Sequence, residues 1–295
     1  MAKRGIGSRL FDWANIAFFL VCAFTMVFPL WNVLTTSLVG AGEYYSRMIV
    51  WWPQKFDWTA YQFLFNDNMI SRSFVVTALL TLFGSAYNLL LTTMLAYGLS
   101  KKLLPGRNTI LLLITITMFF DGGLIPYYML IKDLNMMNTV WVLFIPGAVS
   151  VGNFIITKAF FSQLPIEVEE SARIDGAGDF RIFARIILPL STPLLATIFL
   201  FYAVVYWNSW YNVLLFIQNE SLYTLQYVLR IMVVQDGLSN KSATSFFLDR
   251  GRSSLEFEEG VRMGMIVIAV VPILCVYPFL QKYFTKGVMI GSIKG

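Results

Sequence analysis

The chain has 295 residues, of which 57% are hydrophobic and only 13% charged, with a mean hydropathy of +0.67 and a formal net charge of +5. A soluble domain carries roughly 25% charged residues, so an ordinary soluble enzyme and a disordered chain are both excluded and an integral membrane protein is expected. Histidine is absent, which excludes Ser-His-Asp and Cys-His catalysis, His-ligated zinc and histidine proton relays, and no metal site is expected.

A helix needs about 20 apolar residues to cross the hydrocarbon core. In chain order, six stretches reach that length: 13–38, 73–100, 109–131, 140–161, 190–217 and 261–284. They are continuous rather than alternating, which predicts helices and not a β-barrel. The first is too long for a cleaved signal sequence and no A-x-A-like site follows it, so it is read as a retained helix. Cys22 and Cys275 lie far apart in such runs and are read as small buried hydrophobes. With the N-terminus inside, thirteen of the 22 Lys and Arg residues fall on the inner segments, among them Lys3, Arg4, Lys101, Lys102, Arg107 and Arg185. The longer outer loops, 39–72 and 218–260, carry fewer, so both termini are expected in the cytoplasm. Trp51, Trp52, Trp58, Tyr44 and Tyr45 in the first outer loop read as an interfacial belt.

In the third run, Asp121 is the lone acid deep within a span, where an unpaired acid costs about 2.5–3.5 kcal/mol. Gly122, Gly123 and Pro126 beside it predict a helix broken near the outer side, with Asp121 as its cap or as a ligand contact. Asn153 in the fourth run is a further candidate for lining a pathway.

Residues 162–189 are more than a connector needs. Pro165 suits a first helical turn with Ser162 as cap. Glu167, Glu169 and Glu170 then crowd the positive end of the helix dipole. Gly176 and Gly178 stop that helix. Asp179 can cap a second helix over 180–188, which Pro189 closes. Two short helices with a glycine elbow make a protrusion suited to docking a cytoplasmic partner, or an amphipathic pair resting on the membrane surface.

The fifth run carries Tyr206-Trp-Asn-Ser-Trp-Tyr-Asn212, the densest polar-aromatic cluster in any span. In a continuous helix Trp207 and Trp210 share a face, as do Asn208 and Asn212. Aromatic faces with hydrogen-bonding side chains recognise sugars, while asparagine can equally join helices and tryptophan can belong to a belt. The stretch 223–230 is amphipathic and external.

Glu170-Ser-Ala-Arg-Ile-Asp-Gly-Ala177, followed by Ile187-Leu-Pro-Leu190, closely resembles the EAA loop of ABC-importer permeases. That pattern reads E-A-A, three residues, G, about nine residues, then I-x-L-P. Ser171 stands where the first alanine would be. Asp175-Gly176-Ala177 resembles the carbohydrate branch, as in the maltose-type permeases. Phe120-Asp-Gly-Gly-Leu-Ile-Pro-Tyr-Tyr128 with Asn138-Thr139, and the C-terminal stretches 278–287 and 291–295, are similar to that branch as well.

The resemblance implies an all-α ABC-importer type I permease fold, a single domain of six transmembrane helices with both ends inside and a coupling loop over 162–189. It implies that Glu170, Ala172, Asp175, Gly176 and Ala177 meet an ATPase subunit, and that the tail 285–295, with Lys286, Gly287 and Lys294, reaches it too. The implied partners are a homologous second permease in a heterodimer, two ATP-binding subunits that hold ATP and Mg, and an extracytoplasmic solute-binding protein. The implied substrate is an oligosaccharide, in a subgroup that includes uronate-containing sugars, and the implied site is the bacterial cytoplasmic membrane. No cofactor is expected on this chain and no nucleic acid. The chain has no G-x-x-x-x-G-K-[ST] and no Gly-Lys pair, so ATP hydrolysis must reside elsewhere. A secondary transporter is disfavoured, since only Asp121 could serve a coupling ion and no repeat is visible. A membrane enzyme is disfavoured by the lack of histidine and of paired intramembrane carboxylates. An ABC permease for a non-sugar solute is the alternative within the class.

Overall fold

The computed structural model describes residues 6–47, 49–234 and 258–291, and every regular element among them is helical. Among the described residues three helices are long and apolar enough to cross a membrane: Leu10–Thr36, Asn68–Ser100 and Glu259–Val276. Two bent pairs reach the same length together, Arg107–Phe119 with Leu124–Asp133 at 116° and Asp179–Leu190 with Thr192–Trp207 at 85°, and Val151–Phe161 is a shorter apolar helix.

The interruptions are where the structure departs from the expected runs. The third run is two helices, separated by Phe120–Gly123, because Gly123 takes a φ of +83° that continues no α-helix. The fourth run is helical only over Val151–Phe161, preceded by a 3-10 turn at Val140–Leu143 and an irregular stretch containing Pro146 and Gly147. The fifth breaks after Trp207 and resumes at Tyr211–Phe216. The sixth runs past its expected end, over Glu258–Gly291. Cys22 is half-buried and Cys275 exposed, so neither is the buried hydrophobe expected.

The chain divides into two compact units. One comprises residues 1–68 and 231–271. Its first helix, Ile6–Thr36, presents Phe18, Phe19, Val21 and Phe24 outward, as a lipid-facing helix must. The loop after it folds back on that helix: the Trp31 indole donates to the Trp51 carbonyl at 2.9 Å, Thr35 Oγ1 donates to the Val50 carbonyl at 2.6 Å, and Trp31 stacks on Trp52. Asp57 accepts the Thr59 backbone N–H at 2.9 Å, an Asx turn that leads into helix Thr59–Asn66. The fully buried Leu64 sits against Gly264, where an added Cβ would come within 2.9 Å of Leu64 Cδ1.

The other unit comprises residues 69–230 and 272–295. Helices 68–100, 151–161 and 192–207 form its core, filled by Leu80, Tyr97, Phe154, Phe161, Ile198 and Tyr202. Helix 68–100 contains a π-turn at Leu80–Gly84.

Candidate functional site: the two-helix loop and the broken spans

The 162–190 segment folds as two helices around an elbow. Helix Ile166–Ile174 follows Pro165, but Ser162 does not cap it: its hydroxyl donates back to the Lys158 carbonyl at 2.8 Å and closes the preceding helix instead. The other end is a Schellman motif. The Ala177 N–H bonds the Ala172 carbonyl at 2.9 Å and the Gly176 N–H bonds the Arg173 carbonyl at 3.0 Å, with Gly176 at a φ of +79°. Only glycine occupies that conformation without strain. Asp179 is not a cap, because it is the first residue of the second helix and its carboxylate pairs with Arg173 across the elbow. Pro189 does not close that helix, which runs from Asp179 to Leu190. A π-turn at Phe183–Ile187, in which the Leu188 N–H reaches the Phe183 carbonyl, takes up the register one turn before the proline, which has no N–H to donate.

The five coupling candidates separate by exposure. Ala172 is buried in the core and Ala177 is packed against it. Glu170, Asp175 and Gly176 are exposed. The Asp175 carboxylate makes no hydrogen bond among the described residues, so no Asx-type contact holds the elbow. One face of the loop therefore packs on the helical core and the other presents acid, backbone and an open glycine. Lys286 and Gly287 belong to the final helix by their backbone, while the Lys286 side chain, and Lys294 as a whole, lie outside the described residues.

The pathway candidates are brought together only in part. Asp121 Oδ1 accepts the Gly123 N–H at 2.8 Å, a local turn contact that holds the break between the paired helices without capping helix Leu124–Asp133, whose N-cap is Gly123. Its motif continues at Asn138, whose φ is +56° and whose Oδ1 accepts the N–H groups of Gln218 at 3.0 Å and Asn219 at 2.8 Å. Tyr127 and Tyr128 flank the Phe216 ring at 5.6 and 5.8 Å. The motif thus ties the third span's break to the end of the fifth.

Tyr206 is buried, accepting from Asn88 Nδ2 at 2.7 Å. Asn88 also donates to the Gly147 carbonyl at 3.2 Å. Tyr202 bonds the Thr92 hydroxyl at 2.6 Å and accepts the Ser150 N–H at 3.0 Å. These groups satisfy the irregular backbone of 144–150. Such backbone is tolerated at membrane depth only where protein groups or water bind it. Asn88, Thr92 and Tyr202 escaped the sequence reading because nothing in their spacing announces a partner over 100 residues away. Trp207 packs edge-on against Phe74 and lines a cavity of about 540 Å³ with Leu82, Phe199, Ala203, Ile273 and Val276. The break at 208–210 removes the shared faces expected of Trp207 with Trp210 and of Asn208 with Asn212. Asn208 is exposed and donates to the Val204 carbonyl at 2.8 Å, Asn212 is half-buried, and Trp210 lies under the Arg230 guanidinium at 3.7 Å. Nearby, burial first, then Tyr227 and Glu220, push the Tyr223 hydroxyl above its ordinary pKa. Asn153 is half-buried, its carbonyl accepting from Thr157 Oγ1 at 2.7 Å.

Apolar helices long enough to cross a bilayer, interrupted within their runs and joined by a two-helix loop with one exposed face, define a membrane protein with a docking surface. No family model matches the chain. It is 38% identical over 289 residues, 98% of this chain and 99% of the relative, to the polygalacturonan/rhamnogalacturonan transport system permease protein YtcP of Bacillus subtilis (strain 168). It is 41% identical to protein LplC of the same organism, over 97% of this chain and 96% of the relative. A bacterial ABC transporter involved in the import of the acidic polysaccharide alginate has a chain that superposes with a TM-score of 0.87 at 28% identity, covering 96% of this chain and 100% of that one. The chain belongs to the carbohydrate ABC-transporter permeases, non-catalytic membrane subunits of sugar importers.

Proposed function

We propose that this chain carries oligosaccharides inward across a bacterial cytoplasmic membrane, by alternating access driven from partner ATPases. The reading places six spans with both termini inside, Val151–Phe161 supplying the fourth. It pairs the chain with a homologous second permease, two ATP-binding subunits and an extracytoplasmic binding protein. ATP and Mg belong to the ATP-binding subunits, and this chain holds no cofactor. The carrying observation is the two-faced loop: Ala172 buried toward the permease, Glu170 and the Gly176 elbow exposed toward a partner. The exposed Glu170 carboxylate, midway along the loop helix, suits pairing with an arginine of the docked subunit.

The substrate we propose is an acidic oligosaccharide. The polygalacturonan and alginate systems named above handle acidic polymers, and Arg230 stacked on Trp210 offers an aromatic platform beside a guanidinium. Asn208 and Asn212 flank that platform at the break in the fifth span. A tagged chain, extracted from its host in mild detergent, is expected to bring down an ATP-binding subunit and a second permease. Cells expressing the system are expected to take up labelled oligogalacturonides. Purification of the chain alone, as an uptake-competent oligomer, would overturn the importer reading. Uptake of neutral oligosaccharides in preference to acidic ones would overturn the substrate.

A further inference from the structure

We infer that Lys101 and Glu169 form a clamp that makes the cytoplasmic loop and the long helix 68–100 move as one body. The inference rests on the proposed coupling role of the loop. Lys101 is the residue that ends helix 68–100, and Glu169 lies in the first turn of helix Ile166–Ile174. Their side chains form an ion pair, with 30% and 14% of their surfaces exposed. Each charge sits at the helix end whose dipole favours it, the cation at a C-terminus and the anion at an N-terminus. One bond therefore joins the negative pole of a membrane-spanning helix to the positive pole of the loop helix.

The clamp is seated as well as paired. The Lys101 ammonium lies 4.0 Å from the centre of the Tyr97 ring, a favourable cation–π position. Tyr97 in turn packs on Phe183 of the second loop helix at 5.1 Å and edge-on against Phe161 at 6.3 Å. The end of helix 68–100 thus grips both loop helices, one by charge and one by ring contact. The turn after Lys101 is braced by Arg107 Nε, which donates to the Leu99 carbonyl at 2.9 Å. Glu169 and Glu170 are adjacent in sequence yet divide the work. Glu169 faces inward to Lys101, and Glu170 is exposed. A displacement imposed on the loop from outside then reaches the core of the spans through helix 68–100, whose residues Asn88 and Thr92 hold the broken fourth span and the fifth.

The test uses the whole importer in lipid nanodiscs, with Cys22→Ser and Cys275→Ser. Nitroxides are placed at Lys102→Cys and Glu167→Cys, both exposed. The clamp predicts one narrow label distance, equal in the nucleotide-free and vanadate-trapped states. Lys101→Met and Glu169→Gln should each broaden it, and Lys101→Arg, which keeps a cation at the helix C-terminus and over the Tyr97 ring, should leave it narrow. Losing one partner of a half-buried pair should lower oligosaccharide uptake about tenfold while ATP hydrolysis by the assembly persists, with uptake largely retained in Lys101→Arg. Retention in a variant that keeps the charge but changes the side chain's shape is an outcome that a packing role alone would not give. An unchanged distance distribution in Lys101→Met, or a Lys101→Arg variant no better than Lys101→Met, would overturn the clamp. Failure of the wild-type chain to co-purify with an ATP-binding subunit would instead overturn the coupling role itself.

Discussion

The Gly176 elbow separates backbone strain from partner contact. Gly176 has a φ of +79°, and an ideal Cβ built on it meets nothing within 4 Å. Within this chain, every L side chain but asparagine should therefore cost about the same, roughly 1–2 kcal/mol for the left-handed conformation, whatever its size. Gly176→Ala and Gly176→Leu should lower the thermal midpoint of the isolated permease equally, and Gly176→Asn should lower it less. Assembly should follow a different order. If the exposed face receives an ATPase subunit, co-purification and uptake should fall progressively from Gly through Ala to Leu. The assays are a thermal melt of the purified permease, recovery of the ATP-binding subunit on the tagged chain, and initial uptake of oligogalacturonide. Equal loss of assembly in the Ala and Leu variants would refute the argument, since the elbow would then matter only through its backbone.

Three further outcomes test other parts of the structure. Gly84→Ala places a Cβ 3.0 Å from Cε2 and Cζ of Tyr206, whose ring is buried and held by Asn88, so overpacking should cost about 1–3 kcal/mol and lower the thermal midpoint. A midpoint equal to wild type would mean the ring is free to shift. Asn138→Ala removes the side-chain acceptor of two backbone N–H groups and places alanine at a φ of +56°, about 2–4 kcal/mol in all, whereas Asn138→Asp keeps both acceptor geometry and left-handed tolerance; urea or thermal melts of the two variants should diverge. Arg230→Gln should reduce uptake of oligogalacturonides about tenfold, as loss of a charge-assisted contact does, with neutral oligosaccharides unaffected; parallel loss for both would place Arg230 in structure rather than recognition.

The primary sequence determined the class and the loop. Length, hydropathy and the spacing from Glu170 to Leu190 point to a permease with a docking loop because they are local quantities. An apolar run long enough to span, a glycine where a helix must turn, and acids at a helix start all act within a few residues. The break at Asp121–Gly123 was legible for the same reason, since glycine, proline and a short acid act on their own backbone. The breaks at 144–150 and 208–210 were not anticipated, although Pro146-Gly147 and Asn208-Ser209 carry local signals of the same kind. The hydropathy of each run as a whole outweighs them, and what makes an interrupted helix bearable is a set of hydroxyls and amides on other helices.

Only the tertiary structure decided which polar residues serve the fold. Tyr206 read as a pathway residue by composition, but its hydroxyl lies on Asn88, 118 positions away. Asn88 and Thr92, unremarkable in sequence, hold the broken fourth span. Glu169 and Glu170 are chemically identical neighbours, and nothing local separates them. Their roles diverge because Lys101, 68 residues earlier, reaches one and leaves the other in the open. Periodicity and motif report what a residue can do. Which of several equivalent residues does it depends on burial and partner distance, and those exist only once the helices have packed.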